Sequence, residues 1–420
     1  MKILSFKSIV LFSILLLWTL SVMGIERRRP QISTEFGYIV SPLFYRLEGV
    51  GEGGGLLAAI NNIYDTPIDV FGNVLEGDVA GNIGLVSDIP LIKDYVFADY
   101  LYLSFNKGST RVYEERGMTG NEKYNISELK KVHLTGYRLT FMFWKRRLEF
   151  LWIGYETDFQ AGDFKDKDGN VLAESDGSSN KFKINQGTVK LDYTDDRQDP
   201  RKGLRLVYTR DQNEDFNQES PKFSVNNYIL TGYIPMLANS TWAFNYSHSD
   251  TEIHEKGLTD KDSIRSRYSN QCTGLNGEEL DECDRKVDTL VNNQINQNKY
   301  GNATSLGGNS RLRSFAEGRF TAAYSRFWGT EFRWNLTEDE KPYDIFIAKD
   351  FRTALQWAFF YETGTVADFQ DKLYEETRFS AGTGIRIVTK SGFVYRLDVA
   401  NGNEGTGVVF FFDYPWGSIN

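Results

Sequence analysis

From residue 321 to residue 416 the chain alternates apolar with polar residues, segment after segment, and keeps its charges on one face. In 324–336 one face carries Tyr324, Trp328, Phe332, Trp334 and Leu336, and the other Ser325, Gly329, Glu331, Arg333 and Asn335. In 355–362, Leu355, Trp357, Phe359 and Tyr361 oppose Gln356, Ala358, Phe360 and Glu362. In 393–400, Phe393, Tyr395, Leu397 and Val399 oppose Val394, Arg396, Asp398 and Ala400. A period of two sends successive side chains to opposite faces, which identifies β-strands. An apolar, aromatic face opposite a charged one, repeated on every strand, is the pattern of a barrel with lipid outside and water or charge inside.

Composition agrees with that reading. The chain has 420 residues, 40% of them hydrophobic and 15% aromatic. No stretch beyond the first thirty residues is long and apolar enough for a transmembrane helix, so helical membrane folds are excluded. The mean hydropathy of −0.43 resembles that of a soluble protein, but membrane barrels average out this way because half of each strand faces water. The 38 Gly, 30 Phe, 23 Tyr and 8 Trp suit strands flanked by aromatic girdles. A net charge of −9 argues against nucleic acid as a partner.

Residues 1–24 read as a secretory signal peptide: Lys2 and Lys7 precede the apolar run 8–22, and Val22-Met23-Gly24 offers a cleavage site. The stretch ERRRPQISTEF follows, so 25–35 is expected to be a short periplasmic segment and 36–420 the barrel. Arg27-Arg28-Arg29 is expected to be a solvated or headgroup-contacting tail. Cys272 and Cys283 share one polar segment. They form either a local disulfide or two free thiols, and passage through an oxidising compartment favours the bond.

Short turns are expected at 89–93, 145–147, 196–203, 237–241, 338–344 and 390–392, alternating with long polar stretches at 114–131, 163–181, 212–222, 251–318 and 368–377. Short periplasmic turns alternating with long external loops characterise outer-membrane barrels. Strands are expected near 95–106, 133–144, 148–159, 187–195, 204–211, 223–235, 242–250, 320–336, 353–364, 378–389, 393–400 and 408–416. Four more in 36–91 give an all-β transmembrane antiparallel barrel of about 16 strands. The run 49–55, rich in glycine, begins a strand or folds inward as a flexible segment.

The longest loop contains Leu306-Gly307-Gly308-Asn309-Ser310-Arg311-Leu312-Arg313-Ser314-Phe315. After it come Gly329-Thr330-Glu331-Phe332-Arg333 and Tyr361-Glu362-Thr363-Gly364. Together with the turn 195–203, DDRQDPRKG, and the final strands, this constellation resembles the BamA-like superfamily of outer-membrane assembly and translocation barrels, also called bacterial surface antigen proteins. The likeness is specific over about 185–416 and generic before it. The family's loop motif is a glycine pair and then Val/Ile-Arg-Gly-Phe/Tyr. Gly307 and Gly308 match the pair, and Leu312-Arg313-Ser314-Phe315 occupies the motif, with Ser314 in the glycine's place.

The resemblance implies a long loop folded into the lumen, its Arg313 held against Glu331 and Glu362. It also implies a first and last strand that pair weakly at a seam able to open toward lipid. The chain departs from the family in showing no POTRA domains ahead of the barrel and in ending FDYPWGSIN rather than in a terminal aromatic.

Physical chemistry points the same way. Arg on the lipid face near the midplane costs roughly 2–4 kcal/mol, so Glu331 with Arg333, and Arg396 with Asp398, should line the lumen. An arginine drawn in among them can pair bidentately with carboxylates. The alternative is a solvated Arg313 and acids that hydrate a pore.

No catalytic or metal site emerges. His133, His248 and His254 lack metal-ligand spacing, and the acidic run 163–169 fails the EF-hand register. No cofactor and no enzymatic activity are implied. The expected partners are outer-membrane lipid and lipopolysaccharide, with client outer-membrane proteins if the barrel inserts or translocates other chains. A solute pore and a surface-loop binding protein are the other readings on the same scaffold.

Overall fold

The structure, a computed structural model, describes residues 25–28, 30, 32, 35–118, 123–175, 177–213, 220–268, 272–337, 343–351, 353–389, 394–412 and 414–416. The expected signal peptide, 1–24, and the expected turn at 390–392 lie outside the described residues.

Sixteen antiparallel strands close into a barrel. They are β1 Gly37–Leu47, β2 Gly51–Asn61, β3 Asp69–Gly77, β4 Ala80–Ile92, β5 Val96–Tyr113, β6 Tyr124–Phe143, β7 Leu148–Lys165 and β8 Ser179–Thr194. The series continues with β9 Gly203–Asn213, β10 Lys222–Pro235, β11 Ser240–Glu255, β12 Tyr324–Asn335, β13 Thr353–Ala367, β14 Arg378–Thr389, β15 Val394–Gly402 and β16 Gly405–Phe412. No described helix is long and apolar enough to cross a membrane. The apolar parity of each strand points outward: Trp328, Trp334, Trp357, Phe359 and Tyr361 are exposed, while their neighbours Glu331, Arg333 and Glu362 are buried. The exterior is therefore solvated by hydrocarbon, and the protein is a barrel of the bacterial outer-membrane type. Outward tryptophans still satisfy their N–H groups. Trp357 Nε1 donates to Thr383 Oγ1 at 2.7 Å and Trp242 Nε1 to Thr330 Oγ1 at 2.5 Å, each across one strand gap.

β5, β6 and β7 run several residues beyond the lengths read from hydropathy, because their polar external ends stay paired as ribbons above the membrane, as in Thr110 opposite Ser127. β12 starts at Tyr324 rather than near 320. Phe320 bridges instead to Leu306 within the loop. The glycine-rich run resolves as a turn at 48–50 followed by β2. There a side chain at Gly55 would meet the Val74 carbonyl oxygen at 1.9 Å.

The external loop between β11 and β12 is not wholly irregular. It contains α1 Lys261–Arg265 and α2 Glu278–Tyr300, and a disulfide joins Cys272 to Cys283. Ile264, Val287 and Val291 form a small core between the helices. Asp260 caps α1 by accepting from the Ser263 hydroxyl at 2.6 Å and the Ser263 N–H at 2.8 Å, bonds that together hold its carboxyl below the usual range.

Two expectations at the short-turn end are corrected. The last strand stops at Phe412 instead of reaching 416. Pro415 has no N–H to continue a ladder, and Tyr414 and Trp416 turn inward and are buried. The connection expected as a simple turn at 338–344 instead carries a small hairpin, Tyr343–Ile345 with Ala348–Phe351.

Candidate functional site

Inside the barrel, β12, β13, β14 and β15 present inward-facing ionic groups side by side. Strand pairing brings Glu331 on β12 opposite Phe360 on β13, and Arg386 on β14 opposite Arg396 on β15. The loop residue Arg313 enters this group fully buried. Its Nε donates to Glu362 Oε1 at 3.0 Å, its Nη1 to Asp398 Oδ2 at 2.6 Å and its Nη2 to Glu331 Oε2 at 3.2 Å. Its own backbone N–H donates to Glu362 Oε2 at 3.0 Å, and its guanidinium lies 3.3 Å from the Phe360 ring centre. One planar fork thus serves three carboxylates on three strands, a geometry that lysine cannot reproduce.

The acids are shared with wall arginines. Arg386 grips Glu331 bidentately, with both bonds at 2.6 Å. Arg333 Nε adds a third bond to Glu331 at 2.7 Å. Arg396 donates to Asp398 at 2.8 Å and to the Asn309 carbonyl oxygen at 2.5 Å. Three carboxylates therefore face four guanidinium groups, Arg313, Arg333, Arg386 and Arg396, each no more than 1% exposed. Unpaired, charges so buried would be very unfavourable. Paired, they hold one arrangement, and removing a member leaves an uncompensated charge.

Of the residues singled out from the sequence, Arg313, Glu331, Glu362, Arg333, Arg396 and Asp398 all meet here. Sequence reasoning did not connect Asp398 to Arg313, and it missed Arg386. The available signal was parity: Arg386 stands between the outward Ile385 and Ile387.

The rest of the loop motif surrounds the arginine. Ser314 N–H donates to Ser380 Oγ on β14 at 3.0 Å. The left-handed residue is Leu312, at φ 53°, rather than the serine in the family's glycine position. Gly307 and Gly308 have φ of 102° and 115°, and Gly308 N–H closes the turn on the Phe315 carbonyl at 3.0 Å. Leu312, Phe315, Leu306 and Phe320 pack with Phe327 and Trp416 into an apolar cluster within the barrel. The interior is thus filled by side chains as well as lined by charge. Small wall residues make the room: a Cβ on Gly407 would lie 2.8 Å from the Arg313 carbonyl oxygen, and one on Gly329 would lie 2.5 Å from Trp416.

A second ionic group closes the short-turn end. The turn 195–202 folds on its own aspartates: Asp196 Oδ1 accepts from Gln198 N and Asp199 N at 2.9 and 3.0 Å, and Asp195 Oδ1 from Arg201 N and Lys202 N, both at 2.9 Å. Arg28 does not trail into solvent or headgroups. Its N–H donates to the Asp195 carbonyl at 2.7 Å, its Nε to Asp195 Oδ2 at 2.8 Å, and its Nη2 bonds the Asp199 carbonyl. Arg27 Nη2 donates to the Asp192 carbonyl at 3.1 Å. Burial disfavours the Arg28 charge, but Asp199, Asp196 and Asp195 overcome it and raise the pKa. Burial likewise opposes the Asp199 charge, yet Arg201, the Tyr414 hydroxyl and Arg28 hold its carboxyl below the usual range.

The seam lies between β1 and β16. Among the described residues these strands share one registered pair, Arg46 opposite Phe410. By contrast, β15 and β16 pair continuously from Tyr395 opposite Phe412 to Gly402 opposite Gly405. The lumen loop holds both banks. Arg319 bonds Glu404, in the β15–β16 turn, through Nε at 2.9 Å and Nη2 at 2.7 Å, and Glu317 N–H donates to the Glu48 carbonyl, in the β1–β2 turn, at 2.8 Å.

No protein-family model and no curated protein sequence matches the chain. Solved structures do. CdiB from Acinetobacter baumannii aligns over 90% of this chain with a TM-score of 0.50 at 10% identity. The fold is similar to that of this CdiB barrel. BamA from Haemophilus ducreyi, lacking POTRA domains 1–3, aligns over 91% of the chain at 12% identity with a TM-score of 0.49, and CdiB from Escherichia coli over 90% at 12% with a TM-score of 0.48. The chain spans 70% of that BamA structure and 60% and 62% of the two CdiB structures. At such identities the likeness is one of fold.

Proposed function

We propose that this barrel inserts or translocates polypeptides at the outer membrane. The observation that carries the reading is a β1–β16 junction that has, among the described residues, one registered pair, Arg46 opposite Phe410, with a loop whose Arg319 and Glu317 hold the two banks and whose Arg313 is anchored deep in the wall. Such a seam is the place where the wall parts at least cost, and the loop sets when it parts. A passive solute pore needs neither feature, and the apolar cluster around Phe315 and Phe320 narrows the path a solute would take. Outward aromatic residues meet outer-membrane lipid and lipopolysaccharide, and the clients are other outer-membrane chains. Depletion followed by outer-membrane proteomics tests this. A general fall in other barrels is expected, and an unchanged profile would overturn the reading.

A further inference from the structure

The seam has a second occupant. β1 is separated from β13 by β14, β15 and β16, yet the connection between β12 and β13 sends its hairpin to β1. Lys349 lies opposite Tyr38 and Ala348 opposite Ile39, antiparallel. Val40 N–H donates to the Ile347 carbonyl at 2.8 Å. Ala348 is buried with Ile39, Leu43, Leu57 and Ala59, and Lys349 Nζ sits 5.3 Å from the Phe36 ring centre. A two-residue turn joins neighbouring antiparallel strands, so the residues between Asn335 and Thr353 far exceed what strand reversal needs.

The hairpin takes the place that β16 vacates. β16 ends at Phe412, and the following tail turns inward to Tyr414 and Trp416. The short-turn half of the β1 edge would then expose unpaired backbone groups, which is unfavourable in lipid. Ile347, Ala348 and Lys349 cover it. Above the hairpin the edge is already blunted. Because Val40 N–H points to the seam, the residue two further on has the same parity, and it is Pro42, which has no N–H to offer a partner. Among the described residues the hairpin's tip is lightly held: Phe346 is 96% exposed, and its carbonyl accepts from the Tyr38 hydroxyl at 3.5 Å.

We propose that the hairpin 343–351 is a displaceable stand-in strand. It completes the β1 edge from Gly37 to Val40 in the closed state and must leave before that edge is free. This rests on the reading of the seam as the working part of the barrel and names the element that guards it. The seam then has two latches: the lumen loop at the external end and the hairpin at the short-turn end.

Ile39 and Ala348 occupy a non-hydrogen-bonded pair, since the adjacent pair, Val40 with Ile347, carries the hydrogen bond. Such positions bring Cα atoms within disulfide reach. In the full-length protein carrying I39C and A348C, amide exchange is followed over β1 with the pair reduced and oxidised. Exchange at Val40 is expected to slow about tenfold or more on oxidation, because a locally opening segment is shut, while exchange in β2 stays unchanged. Equal, slow exchange in both states would make the hairpin a fixed part of the wall and overturn the proposal.

A second variant replaces 343–351 with a short glycine-serine turn. It is expected to keep the heat-resistant folded form and to show several-fold more gating events in planar membranes. Failure to fold, or an unchanged current record, would contradict displacement. Neither readout requires an insertion assay, so the hairpin and the proposed function fail separately.

Discussion

The Tyr414 hydroxyl donates to Asp199 Oδ1 at 2.6 Å. Arg28 bonds the carbonyl of the same Asp199. The segment before β1 and the segment after β16 are therefore fastened to one turn, between β8 and β9, on the far side of the barrel from the seam. Tyr414 also lies over the Arg333 guanidinium at 3.9 Å, which links this turn to the ionic group around Arg313.

Replacing Tyr414 with Phe keeps the ring over Arg333 and removes the donor to a buried carboxylate. A loss of about 1–3 kcal/mol is expected for leaving that group unsatisfied. Thermal unfolding in detergent, followed by the heat-dependent change in electrophoretic mobility, measures it. No change in midpoint would show that water replaces the hydroxyl.

Glu331 is expected to matter more than Glu362. It accepts from Arg386 twice, from Arg333 and from Arg313, whereas Glu362 accepts, among the described residues, from Arg313 alone. Glu331→Gln leaves three guanidinium groups short of charge, and a destabilisation of about 3–5 kcal/mol follows from breaking a buried ionic group. Glu362→Gln should cost less. Denaturant unfolding of both variants ranks them, and the reverse order would contradict the assigned network.

Docking of the Arg28 segment should depend on acid. The folded pKa of Asp199 is depressed, so its contribution is present above the unfolded carboxylate value of about 4 and is lost as pH falls through the folded pKa. A fluorophore on I25C should show high anisotropy at neutral pH and lose it only below about pH 4. Release near pH 6 would implicate a different group.

The lumen loop depends on glycines in the wall. Gly407→Val should clash with the Arg313 and Ser314 backbone, since even a Cβ there lies 2.8 Å from the Arg313 carbonyl oxygen. The loop is expected to be displaced while β16, which favours β-branched residues, still forms. Circular dichroism unchanged from the parent, with faster protease cleavage between 301 and 323, is the expected pattern.

The wall was legible in the sequence because period two is imposed on each strand by lipid on one side and charge on the other. Trp328 and Glu331 could not exchange faces without a large cost. The inward position of Arg333, Arg396 and Asp398 followed from that, whereas the count of about 16 also rested on fitting four strands into 36–91 to reach an even number. Arg313 was legible only through its resemblance to a known motif, since a loop has no periodicity to orient it. Three features were not legible. Arg27 and Arg28 look like a solvated tail until the folded turn places Asp195 and Asp199 beside them. Tyr414 and Trp416 continue an apolar alternation, and only Pro415 hints that the ladder stops. The hairpin at 343–351 pairs with β1, hundreds of residues away in sequence, and local pattern cannot name so distant a partner.

Arg313 fixes the long loop inside the barrel by binding Glu331, Glu362 and Asp398 together. Limited proteolysis of the protein in lipid vesicles, comparing the parent with Arg313→Ala and Arg313→Lys, tests it most directly. The parent should resist cleavage between 301 and 323, the alanine variant should be cut readily, and the lysine variant should fall between, since lysine keeps the charge but not the fork. Equal resistance in all three would contradict the account.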